Sequence, residues 1–200
     1  MLFFVFSSSF LVKILIYIID FKEGIKIFNY QNNKLLKYSL WENVSYILLL
    51  GPMIEELISR LYLDLKKRSI ILTLVCIIII GLKITNLNFD LKFYFFTFII
   101  LIFTLFILNS RQDSIMFFGK KYYSFIFYFS CLTFSFLHFS NYTRVLSDNY
   151  IWLLPILVLP QFIMGIFFGY IRIKLGFFWA ILLHIFMNIP AVLIYITTKL

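Results

Sequence analysis

Apolar runs of nearly bilayer-spanning length return along this chain with short polar breaks between them, and no other feature restricts its fold as strongly. The runs lie near 1–20, 39–64, 70–86, 92–109, 121–141, 150–171 and 176–197. Each approaches the roughly 20 residues that a helix needs to cross a hydrocarbon core. With 62% hydrophobic residues and 14% charged, a soluble domain of 200 residues would leave far too much apolar surface in water. The expected fold is all-α: a polytopic transmembrane helical bundle of about seven spans, forming one integral membrane domain over 1–200. The run at 70–86 is the weakest, because Lys83 and Asn86 leave only Ile70 to Leu82 as its core. A tilted, interfacial or re-entrant segment would also suit it. The first run has no basic n-region, carries Lys13 and lacks a small-residue cleavage site, so it reads as a retained helix. Between it and the second run, Phe21, Ile25, Ile27 and Phe28 suit an interfacial helix, and a solvated loop accounts for them equally well.

The net charge of +9 does not describe a nucleic-acid surface. Its cations sit between apolar runs, as in Lys66-Lys67-Arg68, Lys120-Lys121 and Arg172-Ile173-Lys174, and read as headgroup-level anchors. No soluble basic domain exists to bind nucleic acid. Over seven spans the cations divide evenly between the two sides, so the positive-inside rule assigns no orientation. Cys76 and Cys131 fall in apolar runs without a CxxC partner and read as small buried hydrophobes. Phe, Ile, Lys, Asn and Tyr are used heavily while Ala occurs only at 180 and 191, a choice typical of an AT-rich genome. The abundance of Phe therefore carries little functional information, and the expected location is the inner membrane of a prokaryotic cell.

Three polar clusters interrupt this pattern: Glu55-Glu56-Leu57-Ile58-Ser59-Arg60, Phe134-Ser135-Phe136-Leu137-His138 and His184-Ile185-Phe186-Met187-Asn188. Ionisable groups in hydrocarbon cost roughly 2.5 to 3.5 kcal/mol each on insertion scales, so their presence demands a purpose. Glu56 and Arg60 stand one helical turn apart and can pair, while Glu55 points about 100° away. Arg60 then neutralises one carboxylate and leaves the other in a desolvated place that suits a general base. A buried ion pair with a spare acid near a helix end accounts for the same residues. His184 and Asn188 also share a face, where an imidazole and an amide can cradle an oxyanion. A histidine bonded to a neighbouring carbonyl is the plainer alternative. Phe134 and His138 share a face too, and a lone His there is more often structural.

Together the three clusters resemble the signatures of the CAAX protease and bacteriocin-processing family of intramembrane proteases, also called Abi: Glu-Glu-x-x-x-Arg, Phe-x-x-x-His and His-x-x-x-Asn or Asp. All three occur in that order. Flanking residues agree: Gly51-Pro52-Met53-Ile54 before the glutamates, Gln161-Phe162-Ile163-Met164-Gly165 and Gly169-Tyr170 in between, and Gly176-Phe177-Phe178-Trp179 before His184. The resemblance covers roughly 48–68 and 125–190. It implies a protease-like core at approximately 39–68 and 120–197 with an extra hairpin at approximately 69–118.

The resemblance further implies that Glu55 and His138 activate a water for attack on a peptide carbonyl, and that His184 and Asn188 stabilise the oxyanion. Glu56 and Arg60, with Phe134, would support the base. Family members have been described both as metalloproteases and as metal-independent glutamic-type proteases. Glu55, His138 and His184 can supply three zinc ligands with a fourth position for water, or can activate water with no metal. The absence of a His-Glu-x-x-His helix tilts the reading toward no tightly held metal. The implied partner is a peptide or membrane-associated protein substrate in the lipid bilayer, with no nucleic acid.

Two points strain the match. The Glu and first His clusters are separated by about 80 residues, room for an inserted pair of crossings. At 1.5 Å per residue, Glu55 and His184 fall at similar depths while His138 falls near the opposite end of its run. Tilted or broken helices, with Gly51-Pro52 as a break, would have to close that gap. Two rival classes use the same residues: a membrane immunity or regulatory protein that binds a toxin or partner without turnover, and a proton-coupled transporter.

Overall fold

The computed structural model describes residues 39–84, 112–142, 146 and 148–197, together with helical positions 10–12, 14 and 16–18 near the start of the chain. Every element among the described residues is helical. α1 spans Leu40–Ser45, and a π-helical turn at Tyr46–Leu50 carries it into α2, Gly51–Ser59. A 3-10 turn at Leu61–Asp64 leads to α3, Lys67–Ile84. α4 covers Gln112–Lys121 and α5 covers Tyr123–Leu137. Short 3-10 turns at Phe139–Asn141 and Asp148–Leu153 precede α6, Leu154–Leu157. α7 then spans Leu159–Lys174 and α8 spans Phe177–Thr197.

α1 begins at a capping box in which Ser39 and Glu42 satisfy each other's backbone N–H groups. The break expected at Gly51-Pro52 is instead a widened turn. Gly51 N–H bonds back to Tyr46 O, and a Cβ on Gly51 would stand 3.0 Å from that oxygen. Widening absorbs the missing N–H of Pro52 without interrupting the helix. One further consequence is that Ile47 O becomes free to accept from Asn188 Nδ2 at 3.0 Å.

α7 lies against α5 and α8, and α2 lies against α3, α5 and α8. Two glycines one turn apart allow α7 to approach α5 closely. A Cβ on Gly165 would stand 3.2 Å from Cys131 Cα, and one on Gly169 would stand 2.7 Å from the Phe127 ring. Gly176, with φ of 108°, takes the positive dihedral that favours glycine and reverses the chain into α8. Phe168 and His184, equidistant in sequence from that turn, meet across it. Near the other end, Val12 joins Tyr142, Leu146, Leu153, Leu154, Leu157 and Val158 in an apolar cluster.

Two helical stretches among the described residues, Tyr150–Lys174 and Phe177–Thr197, are long and apolar enough to cross a membrane. Phe125, Phe129, Phe178 and Phe186 point outward, as side chains facing lipid would. The expected run at 70–86 forms one continuous helix, α3. The expected spans near 1–20 and 92–109, and the segment at 21–38, lie largely or wholly outside the described residues, so the count of seven is not established. Cys131 is fully buried and Cys76 half-buried, both as free thiols.

Candidate active site

The three polar clusters converge. Glu56 is fully buried and its Oε1 contacts Arg60 Nη1 one turn away. The same oxygen accepts from His184 Nδ1 at 3.0 Å. Arg60 is also fully buried; Nη1 donates to Ser59 Oγ at 3.1 Å, and the guanidinium lies 4.2 Å from the centroid of the Phe134 ring. Buried charges are tolerated only when paired, and here carboxylate, guanidinium, imidazole and aromatic faces enclose one another.

Glu55, on the next face of α2, is 27% exposed and opens away from this buried pair. Its Oε2 lies 3.5 Å from His184 Nε2 and 3.9 Å from His138 Nε2. The depth mismatch expected for His138 therefore does not arise. α5 is short and ends at the site, placing His138 at its C-cap. The imidazole folds back along the helix so that Nδ1 donates to Phe134 O at 2.9 Å.

Both histidines share one arrangement. Each Nδ1 faces an acceptor, a carbonyl for His138 and a carboxylate for His184, so each Nδ1 carries the hydrogen. Both Nε2 atoms are thereby turned toward Glu55 Oε2 and are left to exchange a proton or bind a ligand. One carboxylate oxygen thus faces two ring nitrogens. Among the described residues no group of three or more His, Cys, Asp and Glu side chains is arranged to hold a metal ion; tetrahedral zinc ligands stand roughly 3.3 Å apart, and Glu55 Oε2 lies 3.5 and 3.9 Å from the two nitrogens.

Glu56 and Arg60 are expected from the sequence to support Glu55. In the structure Glu56 also bonds His184 on α8, so one imidazole faces both carboxylates, Glu56 at 3.0 Å and Glu55 at 3.5 Å. Asn188 lies one turn beyond His184 with Nδ2 bonded to Ile47 O, which leaves one amide hydrogen uncommitted to that bond. Phe134 packs on Arg60, on His138 at 4.9 Å and on His184 at 5.5 Å between ring centroids.

Phe168 escaped sequence reasoning. It is fully buried and stacks on His184 with centroids 4.5 Å apart and planes 22° apart. Nothing distinguishes it among 27 phenylalanines except its place between Gly165 and Gly169. Arg172 was read as a headgroup anchor, and the structure corrects this. Its Nε donates to Arg60 O at 3.3 Å, and Nη2 donates to Leu61 O and Asp64 Oδ2, both at 3.1 Å. Arg172 thus supplies the donors that the C-terminal end of α2 lacks. Asp64 also accepts from Lys66 N and Ser69 Oγ at the start of α3.

Fold and site together define an all-helical membrane protein with a buried Glu, Arg and His centre. Residues 38–190 match the family model described as type II CAAX prenyl endopeptidase, Rce1-like, and the chain belongs to that family. Membership implies a protease of the CAAX type acting within a membrane on a peptide or protein. No curated protein and no solved structure matched the chain.

Proposed function

We propose that this protein is an intramembrane endopeptidase that hydrolyses membrane-associated peptides with a water activated by Glu55 and His138. The convergence of Glu55 Oε2, His138 Nε2 and His184 Nε2 on one point is the observation that carries the reading. A binding scaffold or a proton relay has less need for three such atoms facing one another at the cost of their burial.

In this reading each group has a role. His184, held by Glu56 through Nδ1, directs Nε2 into the site as the donor to the oxyanion. His138 Nε2 keeps its lone pair and shares with Glu55 the proton of the attacking water. As the water oxygen bonds to the peptide carbonyl carbon, the carbonyl oxygen takes up negative charge. His184 Nε2–H and the remaining amide hydrogen of Asn188 meet it there. Collapse breaks the C–N bond, and the leaving amine takes the proton held by Glu55 and His138.

The residue choice of the chain supports the inner membrane of a prokaryote as the place of action. The test is incubation of the purified protein with a peptide library containing farnesylated and unmodified members, read by mass spectrometry. Paired products ending at one bond are expected, and the ends define the substrate class. Intact peptides throughout would overturn the proposal.

A further inference from the structure

Among the described residues five buried side-chain atoms have no hydrogen-bond partner: Glu56 Oε2, Arg60 Nε and Nη2, Ser130 Oγ and Gln161 Oε1. The first three belong to the ion pair already described, and Gln161 is the amide among the rest. A buried amide oxygen left unpaired costs about 1–3 kcal/mol.

Its position follows from helix register. Gln161, Gly165, Phe168 and Arg172 recur at intervals of three and four along α7 and so form one stripe. Arg172 touches the end of α2, Phe168 touches Phe134 and His184, and Gly165 lies against Cys131. α5 and α7 run antiparallel, since Gly165 faces Cys131 while Gly169 faces Phe127. By the same register, one turn beyond the first of these pairs, Gln161 falls level with Ser135 of α5, three residues before His138. Along α8, where Phe168 meets His184, the seven residues from Phe168 back to Gln161 carry it by register past Asn188. It therefore continues the stripe about 10 Å beyond Phe168, toward the side on which His138 ends its helix.

An extended peptide entering a desolvated site brings backbone N–H groups that have left water and need acceptors. We infer that Gln161 is a substrate-binding residue whose side-chain amide pairs with the backbone of an extended peptide a few residues from the cleaved bond, at about 3.3 Å per residue. This rests on the peptidase reading above. Gln161 touches the substrate and takes no part in the bond-breaking step.

The experiment measures binding in place of cleavage. The Glu55→Gln protein, with and without Gln161→Leu, is titrated with a short fluorescent farnesylated peptide and with its unmodified counterpart, and thermal unfolding of both proteins is recorded in the same detergent. Gln161→Leu is expected to weaken binding of at least one peptide about tenfold. It is also expected to leave the unfolding temperature unchanged or raised, because an unpaired amide is replaced by an apolar group of similar size. Binding of both peptides that is indifferent to Gln161→Leu would overturn the inference, as would a lowered unfolding temperature, which would mark Gln161 as structural. Loss of binding on Gln161→Leu, with wild-type protein that cleaves neither peptide, would keep the subsite and remove the peptidase reading.

Discussion

Glu56 and His184, 128 positions apart in the chain, meet at 3.0 Å through Oε1 and Nδ1, and Arg60 contacts the same carboxylate oxygen. This junction ties α2 to α8 and fixes the nitrogen that His184 turns toward Glu55. Glu56→Gln would leave Arg60 buried without a counter-charge. Removing one partner of such a pair costs about 3–5 kcal/mol, so a clear fall in unfolding temperature is expected, with turnover falling alongside. An unchanged unfolding temperature in detergent would contradict the pairing.

Gly165 sets the separation of α5 and α7, since its Cβ would stand 3.2 Å from the Cys131 backbone. Gly165→Val must push the helices apart and with them Phe134 and Phe168. The expected cost is about 1–3 kcal/mol, measured as lowered thermal stability. Turnover should also fall, because the stack on His184 shifts.

Arg172 holds the end of α2 through two carbonyls and Asp64. Arg172→Met removes charged hydrogen bonds worth about 1.5–3 kcal/mol each where buried. Lowered stability is expected, with only partial recovery in Arg172→Lys, because an ammonium lacks the planar fork that reaches several acceptors. Equal stability of both variants and the wild type would show that the clasp is idle.

Metal removal separates a metal-free reaction from a metal-assisted one. Water activated by Glu55 and His138 needs no cation, so protein dialysed against a strong chelator is expected to retain turnover. Loss on dialysis with recovery on added zinc would instead assign Glu55, His138 and His184 as ligands.

Much of the site was readable because its residues are exceptional where they stand. Two carboxylates, an arginine and both histidines inside apolar runs could scarcely be ornamental, and the four-residue spacing of Glu56 and Arg60 appears in the structure as a contact. The partner of that pair was not readable, because which face α8 covers is a tertiary fact. Depth arithmetic failed at His138 for a related reason. It treated 121–141 as one span, whereas α5 stops at His138 and the imidazole folds back. Phe168 was hidden by the many other phenylalanines. Arg172 was hidden because a cation at the end of an apolar run usually meets headgroups. The π turn before Pro52 needed the observation that Asn188 takes the carbonyl it frees.

The central claim concerns Glu55, the carboxylate that points away from Arg60 and toward both histidines. Its most direct test compares wild type with Glu55→Gln on whichever library peptide the wild type cuts, with both proteins shown to be folded. Glutamine keeps the shape and removes the base, so turnover is expected to fall by about a hundredfold to ten-thousandfold while unfolding temperature and peptide affinity are held. Turnover retained at the wild-type rate would remove Glu55 from the chemistry and contradict the account.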